Sequence, residues 1–378
     1  MLVTRHYSIA ELAKPGKALV IFGPRRVGKT TLIKEYLKGL GNDSYRFLDG
    51  GDIFAQGILS TPDLQNLQKN YGDRKIFVLD EAQKIQNIGE TLKLMIDHIP
   101  DMVMVVTGSA SFDLAGQIGE PLLGRKNTIT LYPLAGLELR SFLGLPELRR
   151  ELPDMLVYGS YPEVFTSPTH EQKQQLLLDI VGSSLLKDIL ELDKVKSSKR
   201  LVDLLRLIAH QVGSEVSINE LATQLEMENR TVARYLDLLE KSFILINVRG
   251  FSRNLRKEIS KKSKYYFYDV GIRNALINNF NPLHVRDDVG KLWENYLIIE
   301  RLKFRAYTGL YANAYFWRTW DGQEIDLVEE RGGKLFGYEF KWGNKTPKSP
   351  RDWFATYGEA EYQVINQDNF LEFITHAK

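Results

Sequence analysis

Along the first third of the chain, short apolar runs alternate with stretches of helical spacing. Ala18–Phe22 is apolar throughout, and Ile-Phe-Val-Leu at 76–79 and Met-Val-Met-Val-Val at 102–106 repeat the pattern. Four or five apolar residues in a row, bounded by charge or glycine, suit a strand covered on both faces. Tyr45–Asp49 and 128–132 read as further strands, and Thr31-Leu-Ile-Lys-Glu-Tyr-Leu37 has helical periodicity. Strands alternating with helices predict a parallel, doubly covered α/β sheet over residues 1–140.

The middle of the chain, 141–280, changes character. Residues 134–143, 147–158, 171–194 and 201–211 are spaced as amphipathic helices. Two short helices follow, 217–225 and 230–240. Ser217 and Glu220 are placed for a capping box on the first and Asn229 for a cap on the second. Two such helices joined by a tight turn make a helix-turn-helix. Apolar runs at 243–248 and 265–268 then predict a strand and its return partner, a winged helix. From 285 to 378 the order is a helix at 290–302, three strands at 314–318, 323–329 and 334–342, a helix, a strand at Glu361–Ile365 and a final helix. Asp321-Gly322 marks a tight hairpin between the first two strands. The expected organisation is therefore an α/β phosphate-loop domain, a helical and winged-helix region, and a second α/β domain.

Composition narrows the function classes. A chain of 378 residues, 43% hydrophobic and 26% charged, is a globular protein of two or three domains. With no cysteine, disulfides, cysteine nucleophiles and thiolate-held metals are excluded. No run approaches the length of a membrane helix and the first residues lack a signal-peptide core, so the expectation is a soluble, cytoplasmic protein with no membrane partner. The net charge of +2 creates no global field, so any nucleic-acid surface must be local.

The most specific motif lies between strand Ala18–Phe22 and the helix after it. Gly23, Pro24, Arg25, Arg26, Val27, Gly28, Lys29, Thr30 and Thr31 follow the pattern of a phosphate-binding loop. The glycines permit a tight turn and close backbone approach, and the loop N–H groups with the helix N-terminus favour an anion. Lys29 reaches the β- and γ-phosphates, and the Thr30 hydroxyl ligates Mg²⁺. Asp80 ends a buried strand and is the second metal ligand; Glu81 is the candidate general base. Thr107 or Ser109, at the end of the next strand, sits beside the γ-phosphate or caps a helix. Arg125 is a candidate arginine finger, acting in its own chain or a neighbour's, or an ordinary surface arginine.

Taken together, GPRRVGKTT, VLDEAQ, VTGSAS, LLGR and LYPL resemble a family of bacterial and archaeal AAA-type P-loop ATPases. In that family the ATPase is followed by a domain of unknown function with a winged helix and a nuclease-like fold. The resemblance implies ATP with Mg²⁺ as cofactors, in preference to GTP, and covers nearly the whole chain.

Two further features point to DNA. Arg230, Thr231, Arg234 and Tyr235 lie on or near one face of the second helix of the helix-turn-helix, as groove and phosphate contacts would. Between 249 and 264, Arg249, Arg253, Arg256, Lys257, Lys261, Lys262 and Lys264 face a single acid, Glu258. A basic wing beside a helix-turn-helix is how such modules hold a duplex backbone; a solvated hairpin with protein contacts is the competing reading. In the last domain, Glu294 in a helix, Asp326 in one strand, and Glu339 and Lys341 two apart in the next resemble the PD-(D/E)xK nuclease superfamily. On a strand, 339 and 341 share a face, and Asp326 on the adjacent strand can meet them. The function expected is a Mg²⁺-dependent ATPase coupling hydrolysis to binding or processing of double-stranded DNA. The alternative is an ATP-dependent switch that binds a protein partner with an inactive nuclease-like domain. Oligomerisation is compatible with either.

Overall fold

The computed structural model describes residues 2–109, 118–185, 198–252, 263–320, 322–343 and 347–376. The expected turn residue Asp321 and the wing cations Arg253, Arg256, Lys257, Lys261 and Lys262 lie outside the described residues.

The first sheet is built from β1 (Ala18–Phe22), β2 (Tyr45–Asp49), β3 (Ile76–Asp80), β4 (Val103–Thr107) and β5 (Lys126–Thr130), in the order β2-β3-β4-β1-β5. Every neighbouring pair is parallel. β1 and β3 are buried at all positions, as their unbroken apolar sequences require. Alternation along β1 divides the core. Leu19 and Ile21 pack on one face with Ile33 and Val105, whereas Ala18, Val20 and Phe22 pack on the other with Leu92 and Met104. The first of these cores does not stop at the sheet; it runs on through the helices of the middle region to Trp293, Leu297 and Phe340.

The second sheet contains β6 (Glu215–Val216), β7 (Leu245–Gly250), β8 (Ser263–Phe267), β9 (Asn313–Arg318), β10 (Glu324–Arg331), β11 (Lys334–Phe340) and β12 (Glu361–Ile365). Its order is β12-β11-β10-β9-β7-β8-β6. The β7–β8 hairpin follows the helix-turn-helix as expected, and its strands pair antiparallel. It is also joined to the strands beyond residue 285: β7 runs parallel to β9, with Arg249 opposite Tyr315 and Gly250 opposite Phe316. One sheet thus crosses the expected boundary at 280–285. The helix Val289–Thr308 packs against β8 and β11 and against the helices Gly136–Leu143 and Leu145–Tyr158. It is the spine shared by the two halves.

The helix-turn-helix forms from Ile218–Gln224 and Asn229–Lys241. Ser217 caps the first helix, its hydroxyl accepting the Glu220 N–H at 3.4 Å. The second cap differs from expectation. Glu228 occupies the cap position without a side-chain bond, and Asn229 is the first helical residue, its amide donating to Asn219 Oδ1 at 2.6 Å. Among the described residues no helix is long and apolar enough to cross a membrane.

Candidate functional site

The phosphate loop leaves the carboxyl end of β1. Gly23 has φ 145°, and a Cβ there would stand 2.1 Å from the Leu131 carbonyl oxygen; Gly28 has φ 94° where the helix Lys29–Leu37 begins. Both positions need glycine, the first for space and the second for backbone. Arg26 takes a positive φ of 62°, a conformation that costs a non-glycine residue about 1–3 kcal/mol and is held by its surroundings. Lys29 is buried and donates to the Gly23 and Pro24 carbonyl oxygens at 2.8 and 2.9 Å, so its ammonium lies inside the curl of the loop.

Asp80 ends β3 and Thr107 ends β4, the strand between β3 and β1. The Thr30 hydroxyl donates to Asp80 Oδ2 at 2.6 Å, and the Thr107 hydroxyl donates to Asp80 Oδ1. Thr107 also accepts the Glu81 N–H at 3.1 Å. Glu81 is left-handed, with φ 54° and ψ 44°, and Gln83 donates to its Oε2 at 2.7 Å. The second motif thus carries a strained residue, as the loop does. A hydroxyl and a carboxylate in contact beside a phosphate loop are the hard oxygen donors that Mg²⁺ takes, so the residues present fit that ion. Ser109 is buried just past β4, beside the bond from Gly108 N–H to the Ile21 carbonyl.

Arg125 lies elsewhere. Its carbonyl accepts the Ala18 N–H at 2.9 Å, at the amino end of β1, the opposite end from the loop. Its guanidinium pairs with Asp97 at 2.7 Å. The fold therefore does not bring Arg125 to the phosphate loop of its own chain.

One residue with no motif of its own enters the site from the extended segment ahead of the helix Ile9–Leu12. Arg5 donates to the Val27 carbonyl in the loop at 2.6 Å and to the Tyr132 carbonyl at 2.7 Å. It pairs with Glu138 at 2.8 Å and reaches the Tyr307 hydroxyl at 3.1 Å. Glu138 also accepts the His6 and Ala135 N–H groups. Near it, Lys303 bonds the Leu134 carbonyl, Ser160 and Glu300, and Glu300 accepts the Gly136 N–H. This buried polar seam ties the loop domain to the helix Val289–Thr308.

The four acidic and basic residues expected in the last domain do assemble. Glu294 projects from that helix, Asp326 from β10, and Glu339 and Lys341 from the end of β11. The Phe340 N–H donates to Asp326 Oδ2 at 2.8 Å, and Lys341 pairs with Glu339 at 2.6 Å. Two residues from β8 and one from β10 join them. Tyr266 donates to Glu294 Oε1 at 2.5 Å; Lys264 lies 3.5 Å from the same oxygen and pairs with Glu324. Lys264 is therefore no solvated wing cation: it is 2% exposed and faces the carboxylates. Strand alternation carries the signal, since 264 and 266 share a face of β8. Burial and the Asp326 charge push Glu294 up to about 8 and Glu339 up to about 7, and burial raises Asp326 as well. Glu339 Oε2 is buried with no hydrogen-bond partner. Among the described residues no three His, Cys, Asp or Glu side chains stand where they could hold a metal ion.

On the helix Asn229–Lys241, Arg230 and Arg234 are exposed, as a phosphate contact requires. Tyr235, expected on the same face, is 3% exposed and packs in the core instead.

Comparison with known proteins divides the chain at 139–149 and at 283–289, the second division falling within the sheet that β7 and β9 share. Residues 15–139 match a family model described as "AAA domain". Residues 149–283 and 289–375 match two models described as domains of unknown function, DUF8612 and DUF4143. An uncharacterized protein of Mycobacterium tuberculosis is 26% identical over 349 residues, covering 90% of this chain and 74% of its own. Uncharacterized proteins of Haemophilus influenzae (25% identical, 84% of this chain and 80% of its own) and Methanocaldococcus jannaschii (23%, 76% and 66%) are also similar. Among solved structures, Cdc6p from Pyrobaculum aerophilum overlaps 69% of this chain and 86% of its own with a TM-score of 0.25 at 11% identity. A DNA polymerase III gamma-subunit-related protein of Thermotoga maritima overlaps 60% and 93% with a TM-score of 0.24 at 12% identity. Overlaps that low transfer neither fold nor function. The family match, the parallel sheet and the loop geometry agree on one point: residues 15–139 are similar to an AAA domain and carry a phosphate-binding loop at the carboxyl end of β1.

Proposed function

We propose that this protein is a Mg²⁺-dependent ATPase whose nucleotide state governs a DNA-engaging half. The observation that carries the first part is the Thr30–Asp80 contact at 2.6 Å beside the buried ammonium of Lys29. Lys29 and the loop N–H groups hold the phosphates. Thr30 and Asp80 would hold Mg²⁺, which would supply charge neutralisation on the phosphates when bound. Glu81, steadied by Gln83, orients the attacking water and takes its proton. Thr107 bonds both Asp80 and the Glu81 backbone, so it registers a change at either. Ser109, buried just past the same strand, is the other polar group that this reading assigns to sensing the γ-phosphate. Arg125, remote from its own loop, acts as a finger only across a contact between two copies.

The route to the other half is the Arg5 seam. Arg5 bonds the loop at Val27 and reaches Tyr307, and Tyr307 shares a helix with Glu294. Thirteen residues of helix separate the two, ~20 Å along its axis. A shift of the loop on nucleotide binding therefore pushes on the same rigid element that carries the carboxylate cluster. Arg230 and Arg234, with the basic run 253–262, supply the phosphate contacts that place duplex DNA on this half. In this reading Asp326 and Glu339 would hold a divalent ion, which would supply Lewis-acid chemistry, and Lys341 positions water.

A second reading is favoured by one observation. No three ligating side chains among the described residues are set for a metal ion, which suits a nuclease-like scaffold that grips a partner without cutting. ATP hydrolysis measured with and without duplex DNA separates the two. Stimulation by DNA supports the first reading; turnover indifferent to DNA supports a protein-binding switch.

A further inference from the structure

The carboxylate cluster has a charge imbalance that the expected four residues do not explain. Glu324 and Asp326 each lie within electrostatic reach of Glu294 and of Glu339, against the ammonium groups of Lys264 and Lys341. Lys341 sits at the mouth, its side chain 39% exposed, and serves Glu339. Lys264 sits at the back, its side chain 3% exposed, between Glu294 and Glu324. It arrives from β8, the strand of the helix-turn-helix hairpin, and not from the strands that carry the motif. Its Nζ lies over the Phe316 ring, 5.2 Å from the centroid, and Tyr266 locks Glu294 from the same face of β8.

Buried carboxylates this close need a cation or protons. Lysine offers three donors on one point charge and fills the place where a divalent ion would draw the acids together. The orphaned Glu339 Oε2 shows that the set is not satisfied by its lysines alone.

We infer that Lys264 is a positioning residue that acts as the internal counter-cation of this cluster, holding Glu294 and Glu324 and competing with a divalent cation for Asp326 and Glu339. The inference rests on the nuclease-like reading of the cluster. Removing the Lys264 charge lets the metal in more easily; keeping the charge keeps it out.

The test is Mn²⁺ binding by calorimetry on the full chain without nucleotide, for wild type, Lys264→Met and Lys264→Arg, each also with Asp326→Asn. Lys264→Met is expected to bind Mn²⁺ about tenfold more tightly than wild type, as removal of one buried like charge requires. Lys264→Arg is expected to match wild type, and Asp326→Asn to cancel the gain. Should Lys264→Met not fold, Lys264→Gln, which keeps a donor toward Glu324, is read the same way. A folded Lys264→Met or Lys264→Gln chain with wild-type affinity overturns the inference, as does equal tightening by Lys264→Arg; if Asp326→Asn still weakens binding, the cluster remains a metal site. Mn²⁺ binding indifferent to Asp326→Asn in every chain removes the metal reading itself, and the inference with it.

Discussion

Arg5 Nη2 lies 3.1 Å from the hydroxyl of Tyr307, and this pair joins the segment ahead of the helix Ile9–Leu12 to the last turn of the helix Val289–Thr308. The same guanidinium holds the phosphate loop at Val27 and the buried carboxylate of Glu138. Tyr307→Phe removes one hydroxyl from the seam and is expected to cost about 1 kcal/mol. Arg5→Ala leaves the Glu138 side chain, 0% exposed, as an unpaired buried anion, a loss of about 3–5 kcal/mol. Denaturant unfolding of both variants checks the order. An Arg5→Ala chain as stable as wild type would show that the seam does not hold the halves together.

Glu81→Gln keeps the shape and the Gln83 neighbour but cannot take a proton. ATP affinity should stay near wild type while turnover falls about 10²–10⁴-fold, the span of general base catalysis. Steady-state turnover beside equilibrium nucleotide binding separates the two effects. Unchanged turnover would move the base elsewhere.

Glu329 is fully buried in β10 and is held by Arg301 through two bonds of 3.0 and 2.9 Å, with Arg305 and Arg331 at 3.7 and 3.9 Å. Arg301→Met leaves that carboxylate with distant partners only and is expected to cost about 3–5 kcal/mol. The double variant Arg301→Met with Glu329→Leu should recover much of the loss, because it removes both charges. A double-mutant cycle read by thermal unfolding measures the coupling.

Glu294 is raised from 4.5 to about 8 in the fold, so the folded chain holds a proton that the unfolded chain has lost. Between those values the native state binds more protons, and stability falls as pH rises. Below the unfolded value and above the folded one this group contributes no slope. Glu294→Gln, which mimics the protonated acid, should flatten the decline in melting temperature between pH 5 and pH 8. It should gain most on wild type at the upper end. A parallel decline in both chains would place the titrating burden on other groups.

The phosphate loop was readable because its chemistry is contiguous: strand, nine residues and helix lie within 18–37. Asp80 and Glu81 were readable because a buried strand ended in two acids. Glu294, Asp326, Glu339 and Lys341 could be named from the resemblance to the PD-(D/E)xK superfamily, with strand periodicity placing only 339 and 341 on one face, and the fold brings the four together. What could not be read depends on contacts distant in sequence. Arg5 meets Glu138 across 133 residues and Tyr307 across 302, and nothing around it distinguishes it from a surface arginine. Lys264 was counted with the wing because its neighbours in sequence are basic, whereas its neighbours in space are acids. Tyr235 looked like a groove contact because helical spacing alone does not say which stripe meets the core. The pairing of β7 with β9 joins residues 249 and 315, beyond any local pattern.

The proposed function turns on ATP hydrolysis at the loop 23–31. The most direct measurement is Mg²⁺-dependent phosphate release by wild type and by Lys29→Ala at saturating ATP. The prediction is steady release by wild type and none above background by the variant, with its melting temperature retained. Release by Lys29→Ala at the wild-type rate would contradict it.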